Sequence, residues 1–259
     1  MAGSRARAPR LPRFSPTKLG AYRACPRAYA FQYDQGLRWG GINAAQSLGG
    51  SVHRALQVFH DAGGHGAVDL DALKAKLSER WSDAGYATPD EAEAQRAAAV
   101  EMIERYHAAA TEPGRETLAS EVTVSRRYDR FALFGKIDRL DRRPDGALEV
   151  IDYKSGRRAW TVDDVRGSLA LAVYQLLVAR EHPGEAVYTG VLQLRTGEGV
   201  FVLRDAAEVD AVEREVVAEV ERALDDAVKA PTPGRQCREC PYTRLCPEGR
   251  AWLRDHDPG

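Results

Sequence analysis

Gly135-Lys-Ile-Asp138-Arg-Leu-Asp141, a Pro144-Asp145-Gly146 turn, and Leu148-Glu-Val-Ile-Asp152-Tyr-Lys154-Ser-Gly156 decide how this chain is read. Two apolar runs joined by a Pro-Asp-Gly turn predict an antiparallel hairpin. Side chains alternate along a strand, so Asp152 and Lys154 share one face while Ile151 and Tyr153 take the other. An aspartate and a lysine side by side at the end of an apolar strand, with Asp138 on its neighbour, are costly unless something uses the charges. A divalent cation and a phosphate would use them.

Working outward, a strand is expected near 118–127, before the hairpin strands at 131–141 and 147–154. A helix at 162–181, strands near 187–195 and 199–204, and a long helix at 206–229 follow. Upstream, Ser15-Pro16 opens a helix, serine as N-cap and proline at the first helical position. It carries Leu19, Tyr22 and Cys25, with aromatic residues to Tyr33. Gly36, Gly40 and Gly41 link it to Gly49-Gly50 and a second helix through His53, Leu56 and Phe59. Stretches 70–84 and 90–110 form a helical insertion. The pattern predicts an α/β fold: a mixed central sheet flanked by helices, with a C-terminal cysteine-rich region. Residues 1–13, rich in Arg, Pro and Ala, are expected to be a disordered basic tail, and 14–254 a single domain.

The 259 residues carry a net charge of −1, so the molecule is no polycation, but its charge is unevenly placed. Residues 1–38 hold eight Arg and Lys against Asp34 alone, and 205–229 hold nine carboxylates against Arg214, Arg222 and Lys229. The basic segment could track a phosphate backbone, or could be a solvated face. No apolar run is long enough to span a membrane and no signal-peptide core opens the chain, which makes the cytoplasm the expected compartment. Structural disulfides are not expected there.

Cys237, Cys240 and Cys246 cluster near the end of the chain, and Cys25 stands alone near its start. Four thiolates suit a tetrahedral zinc or an iron–sulfur cluster; four unrelated cysteines are the plainer alternative. A shared site would tie the first helix to the end of the chain and close a very long loop.

Taken in order, five segments resemble the PD-(D/E)XK nuclease superfamily in its RecB-like branch, which includes the RecB and AddB nuclease domains and the CRISPR adaptation nucleases. They are Ser15-Pro-Thr-Lys-Leu-x-x-Tyr-x-x-Cys25-Pro26, Gly50-Ser-Val-His53, Gly135-Lys-Ile-Asp138, Asp152-Tyr-Lys154 and the Cys237/Cys240/Cys246 tail. The resemblance implies a restriction-endonuclease-like core. It implies Mg²⁺ or Mn²⁺ held by His53, Asp138, Asp152 and the Tyr153 carbonyl, with Lys154 as the catalytic lysine. Glu121 corresponds to an earlier acidic position and Tyr174 to a helical tyrosine of the site. The four cysteines match the branch's [4Fe–4S] staple. One departure is Ala170, where the branch carries a glutamine four residues before the tyrosine; Gln175 lies one position off that face.

The implied activity is hydrolysis of phosphodiester bonds in DNA, as an exonuclease on single-stranded ends, in repair, recombination or CRISPR adaptation. The cation would supply hard-oxygen coordination and Lys154 a proton-handling group. His53 adds a nitrogen ligand that favours Mn²⁺ over Mg²⁺. Arg235, Arg238 and Arg244 beside the cysteines are candidate DNA contacts. The chain has no G-x-x-x-x-G-K-[ST] motif, so a helicase motor would have to be a partner, as would any CRISPR adaptation protein. The alternatives are a non-catalytic DNA-end-binding module that keeps the cluster, and a nuclease gated by the cluster's redox state.

Overall fold

A computed structural model describes residues 11–38, 40–109 and 112–256. Its sheet is built on β3 (Ala132–Arg142), the strand that carries Asp138. β2 (Glu116–Arg127) runs antiparallel to β3 along its whole length. The opposite edge of β3 is shared by two short partners. β1 (Arg13–Phe14) is parallel to Ala132 and Leu133, and β4 (Leu148–Lys154) pairs antiparallel from Arg139 to Arg142. β4 continues past Ile151 paired to β5 (Val187–Gln193), which is antiparallel to β6 (Glu198–Leu203). Beyond Arg139 and Ile151, β3 and β4 therefore part, leaving a fork inside the sheet.

The hairpin turn has Gly146 at φ +87°, a conformation that favours glycine, with Gly146 N–H donating to the Arg143 carbonyl. β4 and β5 are parallel and need a crossover, supplied by α6 (Val162–Gly167) and α7 (Leu169–Glu181). A continuous helix over 162–181 was expected; Ser168 instead ends α6 and caps α7 by accepting from Leu171 N–H. α8 (Ala206–Asp225) opens on a capping box between Asp205 and Glu208 and ends four residues earlier than expected.

Helices cover both faces. Leu133, Ile137, Leu148 and Val150 pack with α1 (Pro16–Ala24), α7 and α8. Ile151 and Tyr153 face the other way, against α3 (Ala44–Asp61), α4 (Leu70–Arg80) and α5 (Pro89–Ala108). The alternation expected of β4 is thus met, and α4 and α5 are the helical insertion. α3 starts earlier than the glycines suggest, because Asn43 and Gln46 form a capping box that carries Gly49-Gly50 inside the helix. At Gly49 a Cβ would come within 3.2 Å of the Ser155 hydroxyl, so the helix lies close to the end of β4.

Two expectations need correction. Residues 1–10 of the expected tail lie outside the described residues, but 11–13 are ordered: Pro12 accepts from Ala132 N–H and Arg13 pairs in β1. Backbone pairing outweighs the disorder-prone composition there. The basic N-terminal segment is also partly consumed internally. Arg23 is clamped by Glu219 at 2.6 Å and Glu215 at 3.0 Å on α8, and Arg27 donates to the Lys229 carbonyl. The acidic helix thus neutralises Arg23 of the basic segment. Among the described residues no helix is long and apolar enough to cross a membrane.

Candidate active site

Four elements bring their polar side chains to the fork. Asp138 sits on β3 where β4 peels away, and its Oδ2 accepts from Tyr153 N–H at 2.7 Å. The carboxylate thus takes the amide that the missing strand pairing leaves over. His53, from α3, places Nδ1 3.2 Å from Asp138 Oδ1 and 3.8 Å from Glu121 Oε1. Glu121, on β2, lies across from Asp138 between the bridged pairs Ser120–Arg139 and Val122–Ile137. Its φ is +49°, in the left-handed region, within a twelve-residue strand. One donor atom each from His53, Glu121 and Asp138 falls within 4.8 Å of the others.

Asp152 and Lys154 complete the fork from β4. Lys154 Nζ lies 2.5 Å from Asp152 Oδ2 and 5.1 Å from the Trp160 ring centre. Asp152 Oδ2 is buried, and this ammonium group meets it as a close ion pair. Burial pushes the Asp152 carboxyl up, opposed by Lys154 and reinforced by Asp138. Burial alone would lower His53, but Asp138, Asp152 and Glu121 outweigh it and raise the imidazole. Two carboxylates and an imidazole held this close, with the Asp152 carboxylate near enough to act electrostatically on Asp138 and His53, have the donor chemistry of a hard divalent cation site.

Tyr174 stands over the same region from α7. Its ring fills the space above Gly135, where a Cβ would come within 2.6 Å of it. Burial, then Asp152 and Asp138, push its hydroxyl well up. Gln175 does not replace the missing glutamine: it is buried, donating to the Val187 carbonyl at 2.6 Å and accepting from Arg204 at 2.8 Å. Trp160 was not anticipated, since its place beside Lys154 depends on the loop after β4 folding back.

The four cysteines, all free, line one cavity where the two ends of the chain meet. Cys25 lies between α1 and α2 (Pro26–Tyr29), Cys237 in a 3₁₀ turn, and Cys246 just before α9 (Pro247–His256). Cys246 Sγ accepts from Gly249 N–H at 3.3 Å and Cys237 Sγ from Gly234 N–H at 3.5 Å. Burial would raise the Cys25 thiol, but hydrogen bonds from Thr232, Ala28 and Arg27 lower it. Burial instead raises the Cys246 thiol. Four cysteine sulfurs around a common cavity, two of them accepting amide hydrogen bonds, fit a metal or cluster.

The family model for the PD-(D/E)XK nuclease superfamily matches residues 13–247. No curated protein matches the chain. Among solved structures, a candidate exonuclease from Eubacterium rectale superposes with a TM-score of 0.52 at 16% identity, over 92% of this chain and 86% of that one. SSO0001 gives a TM-score of 0.44 at 14% identity, over 94% of this chain and 89% of that one. At such identities the first likeness speaks for the fold alone, a restriction-endonuclease-like mixed sheet, and the second is too distant to carry an argument.

Proposed function

The chain belongs to the PD-(D/E)XK nuclease superfamily, and from that premise we propose that it is a divalent-metal-dependent deoxyribonuclease acting as an exonuclease on single-stranded DNA ends. The observation that carries this is the fork itself, where His53, Glu121, Asp138, Asp152 and Lys154 converge from α3, β2, β3 and β4. His53, Asp138, Asp152 and the Tyr153 carbonyl would hold Mg²⁺ or Mn²⁺, and the spacing of Glu121 adds it to the candidate donors. When bound, the cation would act as a Lewis acid on the phosphate and lower the pKa of bound water. Lys154, set against Asp152, orients the attacking water and offsets phosphate charge. Tyr174 closes the site on the α7 side.

For the cysteines we propose a [4Fe–4S] cluster rather than zinc. Zn–S bonds of ordinary length would draw the sulfurs to about 3.8 Å of one another. Among the described residues, no three of them lie within 4.8 Å of one another. A cubane holds its thiolates further apart. The compartment we propose is the cytoplasm, with any helicase or CRISPR adaptation protein as a separate partner. Arg235, Arg238 and Arg244 remain candidate DNA contacts.

End-labelled single-stranded DNA, incubated with anaerobically purified protein and Mn²⁺, tests the activity. Wild type should shorten the strand from one end, and Lys154→Ala should be slower by about 10²–10⁴-fold, the range for a lost proton-transfer group. Equal cleavage by both proteins would remove the assignment.

A further inference from the structure

A second cavity, of about 610 Å³, opens on the insertion side of the sheet. His60 on its wall stands two turns of α3 beyond His53, about 10 Å along the helix axis, so this cavity is separate from the fork. Its lip is the turn after α3, where Gly63 and Gly64 take φ of +103° and +63°. A volume of this size lies within the range of small-ligand pockets and is roomy for a mononucleotide.

The side chains around it leave a one-sided demand. Arg105, Arg115 and Arg139 line it against Glu112 and Asp141. Both carboxylates are already used. Asp141, fully buried, accepts from Arg139 at 2.8 Å, Thr117 at 3.0 Å and Arg115 at 3.2 Å. Glu112 accepts from Arg115 at 3.0 Å. Glu149, behind Arg115, is shared with Arg143, which balances it. Among the described residues the Arg105 guanidinium has no acidic partner; its stem lies along Gly197. His65 touches Phe59 and His107 ring to ring and, among the described residues, makes no hydrogen bond. Arg115 and Arg139 are taken up by those same carboxylates, so the unspent hydrogen-bonding capacity is that of two donors, the Arg105 guanidinium and the His65 imidazole.

We propose that this cavity binds a phosphate-class anion, either inorganic phosphate or the phosphate of a mononucleotide, held by Arg105 and His65. Guanidinium N–H groups are among the donors that phosphate oxygens take most strongly, and a neutral imidazole N–H adds a second, weaker donor. The local field agrees: burial and then Arg139 and His65 push His60 down to about 3, and burial, His107 and Arg139 lower His65. The site does not depend on the proposed nuclease activity.

Isothermal titration of the full-length, metal-free protein in EDTA tests it, with inorganic phosphate, deoxyadenosine 5′-monophosphate and deoxyadenosine as probes. Wild type and Lys154→Ala should each bind one equivalent of a phosphate-bearing probe. Arg105→Gln and His65→Ala are both at exposed rim positions; the first should weaken binding by about tenfold or more, as expected for a lost charge-assisted contact, and the second by about threefold or more, as for a neutral hydrogen bond, with unchanged unfolding temperatures. Equal affinity for phosphate and nucleotide would identify free phosphate as the ligand, and a preference for the nucleotide would identify a nucleotide phosphate. No saturable binding, binding indifferent to Arg105 and His65, or deoxyadenosine binding as well as its monophosphate would each overturn the proposal.

Discussion

Glu121 occupies a backbone conformation that costs a non-glycine residue about 1 kcal/mol or more, and does so in the middle of a strand. Its carboxylate is nine-tenths buried, near Asp138 and His53 and paired to Lys136. Nothing in the strand needs that twist, but it turns a carboxylate into the fork. Replacing Glu121 with glycine relieves both the strain and a buried like charge, against the entropy of glycine and the loss of the Lys136 pair. Metal-free Glu121→Gly should therefore be as stable as wild type or up to about 1 kcal/mol more stable, a rise of roughly 2–4 °C at most, while its Mn²⁺ affinity falls. Thermal unfolding beside a Mn²⁺ titration checks both halves. A clearly less stable variant that binds Mn²⁺ like wild type would make Glu121 a structural residue. Asp138, Asp152 and Lys154 stand out in the sequence because charge at the ends of apolar runs is expensive and points to use, whereas His53, on an amphipathic helix, is singled out only by the family resemblance. The left-handed turn at Glu121 does not stand out, since Ser120-Glu121-Val122 reads as ordinary strand.

At the scale of elements, the helical insertion does more than cover the sheet. Tyr106 on α5 is buried with its hydroxyl 2.9 Å from the Tyr153 hydroxyl and 2.5 Å from His60 Nε2, and it also receives Arg139. Those partners lie on β4 between Asp152 and Lys154, on α3 below His53, and on β3 next to Asp138. One hydroxyl thus ties the insertion to three of the four elements that supply the fork, α3, β3 and β4. Tyr106→Phe keeps the ring but leaves buried polar groups short of a partner, which should cost about 1–3 kcal/mol. If the hub positions the fork, kcat and Mn²⁺ affinity should also fall per folded molecule. Lost stability with unchanged kcat and Mn²⁺ affinity would confine α5 to a packing role. From sequence, the strands and most helices are readable because period and caps are local signals. Tyr106 reads only as one aromatic on the inner face of a helix, because its importance lies in contacts 33 to 47 positions away.

At the scale of the molecule, the question is what the cysteines hold together. On the chain-entropy relation, closing a loop from Cys25 to Cys237 would be worth about 5 kcal/mol. The protein already closes most of that loop without them. Tyr22 donates to Asp226 at 2.9 Å, Arg23 is clamped by Glu219, and Tyr242 donates to the Leu37 carbonyl at 2.9 Å. Thr232 and Gln236 both reach the Ala24 carbonyl. That closure entropy is gained only by a link that survives unfolding; a cluster lost on unfolding stabilises through what it holds in the folded chain, and with these contacts already joining the two segments its effect should be local, holding residues 231–256 against α1 and α2. Cys25→Ser should therefore lose the cluster's visible absorbance and speed amide exchange through 231–256. Protection in β3, β4 and β5 should stay near that of wild type, and Lys154→Ala should change neither reading. Exchange mass spectrometry on the two variants separates the outcomes. Core strands that lose protection together with the tail would mean that the cysteines hold the whole fold, and that the contacts between α1 and α8 form only once the cluster is in place.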